Sequence, residues 1–248
     1  MAHLTHQALL YLHIIAGAVA LVVFWIPVIA KKGSSIHTRF GFYFTSLMYT
    51  ISLSGLVMSI MVLTDPIAVR LPANEMSPEQ LSRYIEINRN SSIFLLMLSL
   101  LVLTNVRQSI LVLKAKSDRA MLKKPAELSL VLLLGFAGVI VGYIGISKGN
   151  VLFQIFAGVS ILNSIGSLHY IYKPNFQQRE WLIAHLGNII GAGIGAYTAF
   201  FAFGGRRFFA ELLPGIWQIV PWIIPAVVGI IATQLLNRKY RKQYKIAQ

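Results

Sequence analysis

Apolar residues run along this chain in long blocks with short polar breaks between them. A helix crossing the ~30 Å hydrocarbon core of a bilayer needs about 20 mostly apolar residues. Seven blocks meet that length, at about 8–30, 38–63, 91–113, 127–147, 150–172, 181–203 and 215–236. The breaks carry helix-ending chemistry. Lys31-Lys32-Gly33-Ser34-Ser35 closes the first block, Lys123-Lys124-Pro125 precedes the fourth, and Lys148-Gly149-Asn150 separates the fourth from the fifth. Lys173-Pro174-Asn175 stops the fifth, and Gly204-Gly205-Arg206-Arg207 the sixth. The pattern predicts an all-α polytopic membrane protein, one seven-span bundle over 1–248. The first block lacks a basic leader and is followed by positive charge, so it reads as a retained span.

The longest connection, 65–90, contains Ser77-Pro78-Glu79-Gln80, a capping-box start with proline at the first helical position. It predicts a short amphipathic helix at the interface, running into the third span. Glycines recur every fourth residue at Gly187, Gly191 and Gly195. Gly135, Gly138, Gly142 and Gly145 mark the fourth span, and Ala157, Gly158 and Gly166 the fifth. Small residues let membrane helices approach closely, so the fourth, fifth and sixth spans are expected in mutual contact. Pro27, Pro221 and Pro225 invite kinks.

Composition agrees with the pattern. Hydrophobic residues make up 56% of the 248 positions and charged residues 12%, against about 25% charged in soluble domains. The absence of cysteine excludes disulfides, thiolate metal sites and cysteine nucleophiles. A net charge of +14 raises the question of nucleic acid, but its placement points to lipid instead. With the N-terminus outside, fifteen cations fall on inner segments: Lys31, Lys32, Arg39, Lys114, Lys116, Arg119, Lys123, Lys124, Lys173, Arg179, Arg238, Lys239, Arg241, Lys242 and Lys245. Six fall outside: Arg70, Arg83, Arg89, Lys148, Arg206 and Arg207. That bias predicts N-terminus out, C-terminus in and a basic cytoplasmic tail at 237–248. A bacterial inner membrane with lipid partners is expected, and no nucleic acid.

Ionisable groups are expensive in a bilayer, so each one inside a span is a candidate. All eight acids sit in loops or at span ends, which weakens ion-coupled transport and removes paired carboxylates. Histidine carries more information. His37, His169 and His185 share a depth near the inner face on three different spans. Arg107, flanked by Asn105 and Gln108, joins that layer, with Asn188 one turn after His185 and Glu127 opening the fourth span. Two imidazoles can ligate a haem b iron axially, with Arg107 on a propionate. Alternatively three imidazoles, with Glu127 nearby, can hold zinc and leave a position for water. Imidazoles in this layer also cap helix ends and bond across helices. His13 stands apart at the outer level near Met58, Met61 and Met97 as a secondary candidate. No phosphate-cradling loop, nucleophile elbow or H-E-x-x-H is present. Three activities are therefore expected as alternatives: a haem- or metal-binding redox protein working with a quinone or redox partner, a small-molecule binding or transport protein anchored on Arg107, and a zinc-dependent lipid hydrolase.

Three stretches resemble a family of uncharacterised bacterial multi-pass membrane proteins known as a domain of unknown function. They are Leu12-His13-Ile14-Ile15-Ala16-Gly17, then Lys32-Gly33 through His37 to Gly41, and Trp181 through His185 with Tyr197-Thr198-Ala199-Phe200. In place of the histidine–arginine–tryptophan–methionine motif of many relatives, this chain has Trp181 and His185. The resemblance implies that His13, His37 and His185 are motif positions. By looser analogy the architecture is similar to seven-helix zinc hydrolases of the ceramidase and adiponectin-receptor type.

Overall fold

In a computed structural model, residues 1–72, 75–201, 213, 215–244 and 246 are described. They form helices and no strand. The elements are α1 (Ala2–Ile29), α2 (Ser35–Thr64), α3 (Pro66–Val69), α4 (Pro78–Ala115), α5 (Pro125–Ser147), α6 (Val151–Tyr172), α7 (Glu180–Ala199) and α8 (Val220–Tyr244). Short 3-10 turns at Arg119–Lys123 and Gly215–Ile219 precede α5 and α8. Among the described residues, seven helices are long and apolar enough to cross a membrane. The end of the bundle where α1, α4, α6 and α8 finish is termed the basic rim. The other end is the N-terminal rim.

Local sequence chemistry sets the starts. Ser77 accepts from the Gln80 backbone, and the Gln80 side chain reaches back to the Ser77 N–H, completing the capping box. Pro125 opens α5, and Asn150 caps α6 through the Phe153 N–H at 3.2 Å. The helix that starts at Pro78 runs on into the third span. Leu81 through Asn90 and the third span form one unbroken helix of 38 residues, because no glycine or proline interrupts the segment between Pro78 and Ala115. α1 begins at Ala2, earlier than the apolar block implies, and α8 carries the expected tail as helix to Tyr244. The glycine-rich end of the sixth block, with Arg206 and Arg207, lies outside the described residues, as does Lys245.

α4 is the central strut, contacting α2, α5, α6 and α7. On one side α1, α2, α4 and α7 bury Ala20, Phe44, Met48, Val106 and Ala192. On the other, α4, α5 and α6 bury Phe94, Met97, Leu101, Leu134 and Val141, with Phe94 stacked on Phe153 at 4.5 Å. The glycines act where backbones meet. A Cβ at Gly138 would sit 3.2 Å from the Ala157 carbonyl, and one at Gly145 would sit 3.0 Å from the Gln154 nitrogen, so α5 and α6 are in close contact. The α7 ridge goes elsewhere: Gly191 lies against Asn105 and Gly195 against Val102, both on α4. The expected packing of α7 on α5 and α6 is therefore corrected. Gly158, Gly166 and Gly187 have open space around the Cβ position.

Candidate functional site

The site is built from helix ends at the basic rim. A helix leaves its last four carbonyls without intrahelical partners. In α1 two of these belong to Pro27 and Val28. Gly33 takes φ 79°, turning the chain so that Ser34 can cap α2 by accepting the His37 N–H at 3.2 Å. This turn carries the first imidazole back over α1, where His37 Nδ1 donates to the Pro27 carbonyl at 2.9 Å. Lys32 Nζ donates to Pro27 O at 2.8 Å and Val28 O at 2.7 Å. Burial, and secondarily the like charge of Lys239, holds the Lys32 ammonium below the ordinary lysine range.

α7 brings the second imidazole. Glu180, its first residue, pairs with Lys173 and accepts the Gln177 N–H at 3.1 Å, which fixes the connection from α6. The small face at Gly191 and Gly195 seats α7 on α4. His185 then reaches α4, where its Nδ1 donates to the Ser109 carbonyl at 2.9 Å. His37 and Lys32 both act electrostatically on His185. A carbonyl can only accept, so each bond fixes the tautomer when the ring is neutral. The proton is on Nδ1, and Nε2 carries a lone pair. His37 and His185 are thus two oriented imidazoles in one cationic neighbourhood.

The remaining residues of the expected layer are placed differently. His169 is exposed on α6, and only its backbone carbonyl is engaged, by the Lys173 N–H at 2.8 Å. The expected set of His37, His169 and His185 is not brought together. Among the described residues no three histidine, aspartate or glutamate side chains are grouped to hold a metal. Equal depth did not fix azimuth: His169 faces away from the bundle. Arg107 and Glu127 meet each other in a bidentate ion pair, with Nε–Oε2 at 3.0 Å, and Tyr49 lies within electrostatic reach of the guanidinium. Neither residue is therefore the open anion anchor or metal ligand expected of it. A carboxylate one helix away satisfies the guanidinium more cheaply than lipid can.

The neutral polar residues form a buried seam. Asn163 Nδ2 donates to Asn105 Oδ1 at 3.0 Å, and Ser164 Oγ donates to the Val131 carbonyl at 2.8 Å. Buried Thr104 Oγ1, Gln108 Nε2, Ser160 Oγ and Asn163 Oδ1 have no hydrogen-bond partner among the described residues. Asn188 turns back on its own helix, donating to Ala184 O at 2.8 Å. His13 lies toward the N-terminal rim, its Nδ1 2.9 Å from Ser54 Oγ. Ser54 donates to Thr50 O at 2.6 Å, so its hydroxyl accepts from His13. Met97 is fully buried in the α4–α5–α6 core.

Lys32 and the two carbonyls that orient the rings were missed as functional groups in the sequence. The Lys31-Lys32-Gly33 run signals charge asymmetry, and nothing in it distinguishes a capping lysine from a solvated one. Comparison of the chain with models of known families, with curated proteins and with solved structures gives no match.

Proposed function

We propose that this chain is a multi-pass bacterial inner-membrane protein that binds a redox cofactor at the basic rim, with His37 and His185 as its ligands. The observation that carries the reading is the pair of Nδ1 bonds to Pro27 O and Ser109 O. A second bond on the far ring nitrogen is how proteins orient a ligating imidazole. Two such rings match the needs of haem b, whose porphyrin supplies the other four donors. They fall short of a zinc site, which takes three or four protein ligands. Lys32 and Lys239 offer cations for the propionates, the role first expected of Arg107. The interior of the α1–α2–α4–α7 unit is filled, with Met48, Val106 and Ala192 at 0% exposure, so the group would lie at the rim. There it would supply one-electron transfer to a quinone or protein partner.

The test is a reduced-minus-oxidised visible spectrum of the detergent-purified protein, with iron and zinc measured on the same sample. Sharp α and β bands that vanish in His185→Ala and His37→Ala, and persist in His169→Ala, support the assignment. A flat spectrum, or bands indifferent to His37 and His185, overturns it. A small-molecule binding or transport role is the second reading. It is favoured by the unpartnered polar atoms of the α4–α6 seam, and its signature is ligand-dependent stabilisation of a colourless protein.

A further inference from the structure

Among the described residues, Arg70 at the N-terminal rim pairs with no carboxylate. Arg70 follows α3, and its backbone is held on both sides: its N–H donates to Pro66 O at 2.9 Å and its carbonyl accepts from the Tyr84 hydroxyl at 2.7 Å. Its Nη1 donates to Asn88 Oδ1 at 2.8 Å. Asn88 is 7% exposed, and its amide nitrogen donates to Tyr84 O at 2.8 Å, which aims the oxygen at the guanidinium. The arginine is preorganised, yet its side-chain partner is neutral.

Two histidines join it. His3 Nδ1 donates to the Val69 carbonyl at 2.8 Å, the residue before Arg70. His6, one turn along α1, lies within the electrostatic reach of both Arg70 and His3. Both imidazoles are half-buried. Among the described residues, the titratable groups that interact at this point are His3 and His6 from α1, Arg70 after α3, and Tyr84 from α4. Asp65, at the far end of α3, is exposed and caps the Ala68 N–H at 2.9 Å. The described ion pairs are Arg107–Glu127, Lys148–Glu86 and Lys173–Glu180, and Arg70 is in none of them. Burial without a carboxylate holds the guanidinium below its ordinary range.

A half-buried cation without a counter-charge is costly, and protonation of either neighbouring imidazole adds repulsion that a bound anion relieves. One of five guanidinium N–H donors is used here, and the planar fork suits phosphate oxygens. The cluster lies just beyond the end of α2 at Thr64 and in the first turns of α1, the depth at which lipid phosphates sit. We propose that Arg70, His3 and His6 form a phosphate-binding site at the N-terminal rim. The phosphate is either a lipid phosphodiester or free inorganic phosphate. The site is independent of the basic-rim imidazoles.

The test is thermal stability of the delipidated full-length protein, titrated separately with inorganic phosphate and with short-chain phosphatidylglycerol. Stabilisation by inorganic phosphate identifies a free anion, and stabilisation by the lipid alone identifies a headgroup. In either case Arg70→Gln raises the half-saturating concentration by about tenfold or more, the effect of losing a charge-assisted contact. The double variant His3→Gln/His6→Gln keeps the arginine and its backbone bonds. It abolishes the tightening of phosphodiester binding expected as pH is lowered through and below the ordinary imidazole range. Should Arg70→Gln fail to fold, the double variant decides. No stabilisation of the native protein by either probe overturns the proposal. So does binding unchanged in Arg70→Gln, or, in the double variant, unchanged in strength and pH dependence.

Discussion

Breaking the Arg107–Glu127 pair tests whether these residues serve each other or an absent ligand. At 3.0 Å and an effective dielectric of about 20, the attraction is about 5 kcal/mol before desolvation. The two ends differ in environment. The Glu127 side chain is 9% exposed and that of Arg107 is 43% exposed. Solvent or headgroup screening of the guanidinium therefore removes much of the gain, leaving a coupling of about 1–3 kcal/mol. The same asymmetry orders the single variants. Glu127→Gln leaves an arginine that can snorkel to the rim, so it costs about 1–2 kcal/mol. Arg107→Met strands a buried carboxylate and costs about 2–4 kcal/mol. The assay is reversible unfolding in mixed detergent–SDS micelles, read as a double-mutant cycle with both singles and the double. Strict additivity, within about 0.5 kcal/mol, or a larger loss from Glu127→Gln than from Arg107→Met, refutes the reasoning.

Three further outcomes are expected. Gly138→Ala pushes a Cβ to 3.2 Å from the Ala157 backbone carbonyl and destabilises the fold by about 1–2 kcal/mol, whereas Gly187→Ala, with open space around it, is neutral or stabilising by up to about 1 kcal/mol; unfolding in the same micelles compares them. Ser160→Ala removes a hydroxyl without a partner and is neutral or stabilising, while Ser164→Ala loses the 2.8 Å bond to Val131 O and costs about 1 kcal/mol; equal losses at the two sites would show that Ser160 is satisfied by water. Because the folded-state pKa of Lys32 is depressed by burial, then by Lys239, the unfolded chain holds the proton to higher pH. Stability therefore rises with pH from the folded-state value up to the ordinary lysine value, and a stability–pH profile of Lys32→Gln should lack this component.

The fold was legible where chemistry repeats along the chain. Seven apolar blocks gave seven helices, and Ser77, Pro125 and Asn150 start helices as their side chains dictate. The glycines of α5 meet α6 at Ala157, Ser164 and Gln154, whereas Gly158 and Gly166 of α6 face open space. Azimuth was not legible. His169 and His185 sit at similar distances from their helix ends, yet one is exposed and the other bonds α4. A bilayer-spanning helix is apolar on every side, so its sequence carries little signal for which face turns inward. Destination was also hidden for α7. Gly191 and Gly195 announce close packing without naming the neighbour, and α4 takes that face. The pairing of Arg107 with Glu127 joins residues 20 apart across a turn whose geometry the sequence does not fix.

Compensation, more than depth, separates structural charge from functional charge in this bundle. Arg107 lies within a span and looks most like a ligand anchor, yet Glu127 neutralises it. The basic rim is different: Lys32 is held on neutral carbonyls and faces Lys239 and His185. The N-terminal rim is different in the same way, with Arg70 on a neutral amide beside two imidazoles. A low-dielectric surrounding makes each uncompensated cluster unstable by itself and receptive to anionic or electron-rich ligands. The packed interior between them has neutral polar groups but no unpaired charge among its described residues. The two proposals accordingly place ligand chemistry at the rims, a metal-bound anionic macrocycle at one and a phosphate at the other.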